Sequence, residues 1–140
     1  MVDKERTLKL SEVPLLSNCS QRELQRVAKV TDEVTVPAGT TLIEQGQLGR
    51  EAFVIVDGTA AVRRNGRKVA VVGPGECVGE MSLLDRQPRS ASVVAMEEMT
   101  VLVIPSRSFS ALLDDTPSLT RKLLQNLAAR VRDMDSRLTT

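Results

Sequence analysis

The stretch Gly73-Pro74-Gly75-Glu76-Cys77-Val78-Gly79-Glu80-Met81-Ser82-Leu83-Leu84-Asp85-Arg86-Gln87-Pro88-Arg89-Ser90-Ala91-Ser92 decides how the rest of the chain is read. It opens as a Gly-Pro-Gly turn, and within a strand-type pattern it inserts an apolar helical turn over residues 79–84. A helix start leaves backbone N–H groups free, which is a ready anion site. Shortly afterwards Pro88-Arg89-Ser90-Ala91 brings back a guanidinium flanked by small residues, on a loop that the fixed φ of Pro88 holds in shape. Arginine suits a phosphate because its planar fork donates two parallel hydrogen bonds and stays charged at any working pH. Glu80 is acceptor-only at neutral pH, so phosphate oxygens repel it but a sugar hydroxyl can donate to it.

On either side the pattern is that of short strands. Runs of β-branched residues at 33–36, 41–44, 52–57, 59–64, 68–72, 92–97 and 100–104 are divided by turn residues every eight to twelve positions, the signal of an antiparallel sandwich or barrel. Asn65-Gly66 is the strongest turn, since a tight primed hairpin needs positive φ at both central residues. Before the strands, Ser20 and Glu23 form a capping-box pattern ahead of Leu24, Val27 and Ala28, which predicts a short helix. After Ile104, Pro105-Ser106 opens a helical region through Phe109, Leu112 and Leu113. Pro117 then starts a long helix whose Leu119, Leu123, Leu124, Leu127, Val131, Met134 and Leu138 form one apolar stripe. That stripe serves either packing on the barrel or a dimer seam. The expected organisation is one domain over 1–140, with a helical lead-in at 11–30, a β-barrel at 31–104 and C-terminal helices at 106–138.

Composition narrows the function. A formal net charge of +1 gives no field toward nucleic acid or acidic lipid, and only two aromatic rings, Phe53 and Phe109, leave no platform for base stacking. No nucleic-acid or membrane partner is expected. With no histidine and no clustered carboxylates at metal-ligand spacing, neither a metal site nor an enzyme is expected. Cys19 and Cys77 are too few and too far apart for a secreted disulfide framework, and the N-terminus has no signal-peptide run, so the expectation is a cytoplasmic chain. Cys77 reads as a small buried hydrophobe.

Gly79-Glu80-Met81, Leu83-Leu84 and Pro88-Arg89-Ser90-Ala91-Ser92 resemble, in order, type and spacing, the phosphate-binding cassette of the cyclic nucleotide-binding domain family. That domain is shared by catabolite-activator proteins, cyclic-nucleotide-dependent kinases and gated channels. Ile43, Gly46, Phe53-Val54-Ile55-Val56, Gly58 and Gly75 extend the resemblance over residues 34–104. It implies a mainly β fold, an antiparallel jelly-roll barrel (double-stranded β-helix type) with helices on both sides, and a nucleotide site at 79–92. By that resemblance Arg89 takes the exocyclic phosphate oxygens, the amides of Ser90 and Ala91 assist it, Glu80 takes the ribose 2′-hydroxyl, and Gly79 allows close approach. Met81 and Ser82 complete the cassette. Val69, Val71 and Val78 are expected as the apolar wall against the purine, and Gln125, Asn126 or Arg130 as its cap.

The ligand expected is cAMP, with cGMP the alternative because Ser90 is ambiguous between them. The C-terminal helices are expected to respond to it and regulate an unknown protein partner or a homodimer interface. The chain reads as a stand-alone domain or a piece of something longer, without a helix-turn-helix, kinase or channel segment. The rival reading is an interaction module of the same fold that binds no nucleotide. An ordinary Arg–Glu ion pair beside a turn is the bland account of Arg89 and Glu80.

Overall fold

The computed structural model describes the backbone of residues 2–139 and the side chains of residues 4–135. Eight strands form two antiparallel sheets. They are β1 (Asp32–Val36), β2 (Thr41–Ile43), β3 (Glu51–Asp57), β4 (Ala60–Arg64), β5 (Arg67–Val72), β6 (Cys77–Val78), β7 (Ser92–Ala95) and β8 (Met99–Pro105). One sheet has the order β1-β8-β3-β6 and the other β2-β7-β4-β5, the double-sheet arrangement of a jelly roll.

The helices pack on one sheet only, which explains the continuous apolar run in β3. Ala52 and Val54 face the helices, in a cluster with Leu10, Leu24, Phe109 and Leu119, while Phe53 and Ile55 face the barrel interior with Ile43, Val93 and Val101. A strand covered on both faces loses the polar–apolar alternation of a half-exposed one. The β4–β5 hairpin turns at Asn65 and Gly66, both at positive φ (53° and 79°), as its dipeptide predicts.

Five helices flank the strands: α1 (Val2–Ser11), α2 (Gln21–Lys29), α3 (Ser82–Asp85), α4 (Ser106–Asp115) and α5 (Pro117–Thr139), with a single 3-10 turn at Pro14–Leu16. The helical lead-in therefore begins well before residue 11. The α1 sequence VDKERTLKLS carries no continuous apolar face, and the helix is held instead by buried Leu10 and Thr7 and by Arg6 Nη1 donating to Thr31 O at 3.0 Å. Two short elements also differ from the sequence expectation. β6 is only two residues long, too short for any periodicity, and the helical turn expected over 79–84 is α3, displaced toward Ser82–Asp85.

The apolar stripe of α5 divides. Leu119 and Leu123 are buried and Leu127 packs beside them, whereas Leu124, Val131 and Met134 are exposed; Leu138 lies outside the residues whose side chains are described. Polar contacts lock the root of this helix. Ser20 and Glu23 form the predicted capping box, and the same Glu23 carboxylate accepts from Lys122 Nζ at 2.5 Å and Ser118 Oγ at 2.6 Å.

Burial alone would raise the Glu23 carboxyl, but the hydrogen bonds from Lys122, Ser118 and Ser20 together outweigh it and bring the group from 4.5 down to about 2. A depressed carboxyl stabilises the fold fully above its unfolded value and loses that stabilisation as pH falls through the folded one. Wild-type stability is therefore expected to drop by about 2 kcal/mol between about pH 5 and pH 2, and Glu23→Gln to flatten that dependence. Urea midpoints at several pH values check this; an unchanged pH slope in the variant would show that Glu23 does not titrate between the two states.

Candidate functional site

The segment after β6 is shaped by one residue in a conformation that side chains avoid. Gly79, at φ 77°, turns the chain out of Val78, and a Cβ there would fall on Nη1 of Arg89. The chain then runs through Glu80 and Met81 into α3 and leaves it at Arg86, itself left-handed at φ 54°. The return loop is pinned by its backbone: Arg89 N donates to Gln47 O and Gly46 N to Arg89 O, both at 2.8 Å. Gln45 N donates to Ser92 Oγ at 2.9 Å, which sets the start of β7.

These elements frame a half-open cavity of about 430 Å³. Ile43, Val62, Val78 and Val93 form its apolar floor, and the cassette residues Gly79 to Ser82 and Arg89 to Ala91 form its rim. The volume falls within the usual range for small-molecule sites, as does the plan of an apolar base with a few convergent polar groups.

Arg89 is half-buried. Its Nη1 donates to Ser82 Oγ at 2.9 Å and to Gly79 O at 3.3 Å, and its Nη2 to Glu51 O. Burial lowers the guanidinium from its ordinary value and Glu51 opposes that, but an arginine stays charged in proteins. Gly49 backs onto this cluster, since a Cβ there would collide with Ser82 and with Arg89 Cζ. Glu80 stands across the cavity rim, with Oε1 at 3.8 Å from Arg130 Nη1 of α5. Arg89 and Glu80 are therefore not paired with each other, which removes the ordinary ion-pair account of them. Burial, reinforced by the neighbouring Glu80 carboxylate and opposed by Arg130, pushes the Cys77 thiol far up, so it stays protonated at the cavity edge.

Of the residues expected at the site, Gly79, Glu80, Met81, Ser82, Arg89, Ser90, Ala91 and Val78 line this one cavity. Val69 and Val71 do not. Both are about half exposed on β5, where Val72, paired with buried Ala60, is the residue that packs against the barrel interior. The apolar wall is made instead by Val62 of β4 and Val93 of β7, which face each other in register; alternation along those strands was the available signal. Among the three candidate caps only Arg130 reaches the cassette, where its Nη1 also lies 4.0 Å from Met81 Sδ. Asn126 is engaged elsewhere, donating to Leu15 O and Asn18 Oδ1 at 2.7 Å, and Gln125 lies on the outer face of α5 beside Ala128 and Ala129. Arg64, a second guanidinium on the cavity wall, donates through Nε to Ser90 O at 3.3 Å and was not anticipated.

Among the described residues no group of three His, Cys, Asp or Glu side chains is placed to hold a metal ion. No described helix is long and apolar enough to cross a membrane.

The chain is 36 % identical over 131 residues to the Pycsar effector protein XpPycTIR of Xanthomonas perforans, covering 93 % of this chain and 43 % of that one. It is 32 % identical over 130 residues to the cyclic AMP receptor protein of Thermus thermophilus, covering 89 % and 60 %. It thus spans about half the length of these relatives. The crystal structure of the N-terminal domain of a transcriptional regulator from Streptomyces coelicolor superposes with a TM-score of 0.84 at 30 % identity, covering 91 % of this chain and 95 % of that one. The pattern of the cyclic nucleotide-binding domain matches residues 33–116, from β1 into the end of α4 and across the whole cassette, and the chain belongs to that family.

Proposed function

We propose that the chain is a cAMP sensor. The observation that carries this reading is that Arg89 and Glu80, of opposite charge and not paired with each other, line one cavity of nucleotide size. In this reading Arg89 holds the cyclic phosphate. The N–H groups of Ser90 and Ala91, which enter no turn or cap hydrogen bond, assist it, and Glu80 accepts from the ribose 2′-hydroxyl. The base lies over Val62, Val78 and Val93, with Arg130 above it. Support for adenine comes from the Thermus thermophilus relative, named a cyclic AMP receptor protein; the Ser90 hydroxyl is the feature that admits guanine. Calorimetric titration with both nucleotides tests the reading. Saturable binding with cAMP tighter is the expected result, cGMP about tenfold tighter would reverse the base assignment, and no binding of either to folded, nucleotide-free protein would favour the interaction module.

The response is proposed to run through α5. A ribose hydroxyl on Glu80 competes with Arg130 for the same carboxylate, so ligand alters what holds the middle of the helix, while Glu23 and Asn126 anchor its first half. The exposed Leu124, Val131 and Met134 give the moving part an apolar face for a protein partner or a second copy. Hydrogen exchange in residues 106–135 is expected to change on adding cAMP, and unchanged protection there would remove α5 from the mechanism.

A further inference from the structure

A second concave site, of about 570 Å³, lies beside the segment Leu48-Gly49-Arg50 and is completed by Arg86, Ser106 and Arg107. It differs from the nucleotide cavity in charge. Three of its six lining residues are arginines and none is acidic. Among the described residues none of the three guanidiniums has an ion pair or a side-chain hydrogen bond.

The three arrive from separate elements. Arg50 precedes β3, Arg86 ends α3 in the left-handed conformation, and Arg107 is the second residue of α4. Ser106 N donates to Arg50 O at 2.8 Å, which fixes the start of α4 against the Arg50 segment. That helix start adds to the same field, because its N-cap is Pro105, which offers no side-chain acceptor, and its first turn carries no acidic residue. Three like charges and a positive helix end around one concavity repel one another, and among the described residues no carboxylate forms an ion pair with any of them.

We propose that this pocket binds the phosphate or pyrophosphate group of a small phosphorylated ligand. A single carboxylate is matched by one arginine fork, whereas three forks suit the several oxygens and the multiple charge of a phosphate. The half-open concave shape fits a free small molecule better than a flat lipid surface. This inference does not depend on cyclic nucleotide binding. Because Gly49 backs onto Arg89 and Ser82, an occupant here would also press on the cassette from outside.

The test is titration of the full chain with inorganic phosphate and pyrophosphate, followed by amide correlation spectra at constant ionic strength. Shifts are expected at residues 48–50, 86 and 106–108. Arg107→Ala and Arg50→Ala are each expected to weaken that binding by about tenfold, the loss of one charge-assisted contact, with Arg107→Ala leaving the spectrum of the cassette in place. Shifts confined to residues 79–91, equal effects from chloride at the same ionic strength, or affinity within about twofold in Arg107→Ala would each overturn the proposal. Vesicles containing phosphatidic acid form the last arm. Sedimentation with them that depends on Arg107, without binding of free pyrophosphate, would assign the surface to a lipid and overturn the small-ligand reading.

Discussion

Replacing Arg89 by alanine is expected to weaken cyclic nucleotide binding by about 3 kcal/mol or more, a few hundredfold, while leaving a folded protein. Two losses combine. The ligand's phosphate would lose a charge-assisted fork in a half-buried site, where the remaining donors are backbone N–H groups and the more exposed Arg64. In the free protein, Gly79 O, Ser82 Oγ and Glu51 O would also lose the donor that gathers them, so the cassette itself would loosen. Arg89→Lys separates the two contributions. It retains a charge but not the fork, and is expected to fall between alanine and wild type. Calorimetry with cAMP, alongside thermal unfolding of each variant, reads both. Affinity within about threefold of wild type in Arg89→Ala would mean that the phosphate is held elsewhere, with Arg64 and Arg130 the next groups to replace.

The same cassette shows what a sequence can convey. Glu80, Arg89 and their small neighbours were legible because they are contiguous: a nine-residue separation across one short helix and one proline-held loop leaves little freedom in where they meet. The apolar floor was not legible in the same way. Alternation along β5 shows that Val69 and Val71 share a face, but not which face is inward. A bulge between Val62 and Arg63 shifts the register of the hairpin, and the residue of β5 that packs against the barrel interior is Val72, while Ala70 is exposed. Apolar side chains on an edge strand are thus a poor guide to the interior. On α5, Asn126 and Arg130 are one helical turn apart and equally plausible by spacing. Only docking on the Pro14–Leu16 turn commits Asn126 to Leu15 and leaves Arg130 over the cassette. Glu23 shows a different limit: its capping box is local and readable, but its second role, gripping Ser118 and Lys122 almost a hundred residues away, is a tertiary contact that no local pattern contains.

Gly79→Ala is expected to damage stability and binding together, and a second glycine shows why. At φ 77° an alanine costs about 1–2 kcal/mol in backbone strain alone. Gly39 has a similar φ of 88° but open space around its Cα, so Gly39→Ala should report that strain and nothing else. At Gly79 the new methyl also falls on Arg89 Nη1 and within 3.0 Å of Ile43 Cδ1. One of these neighbours must move, and the guanidinium is the one that loses hydrogen bonds by moving. Gly39→Ala is therefore expected to lower the melting temperature by roughly 3–6 °C with unchanged cAMP affinity. Gly79→Ala should lower it further and weaken binding by at least about tenfold, because the group that holds the phosphate is displaced. Gly49→Ala offers a third point: its φ is not in the left-handed range, yet its Cβ would strike Ser82 and Arg89 Cζ, so it should impair binding with less backbone strain. Equal affinities for Gly39→Ala and Gly79→Ala would show that the position of the Arg89 guanidinium does not govern the site; the expected order of affinity, Gly39→Ala well above Gly49→Ala and Gly79→Ala, follows from collision with that group and not from strain.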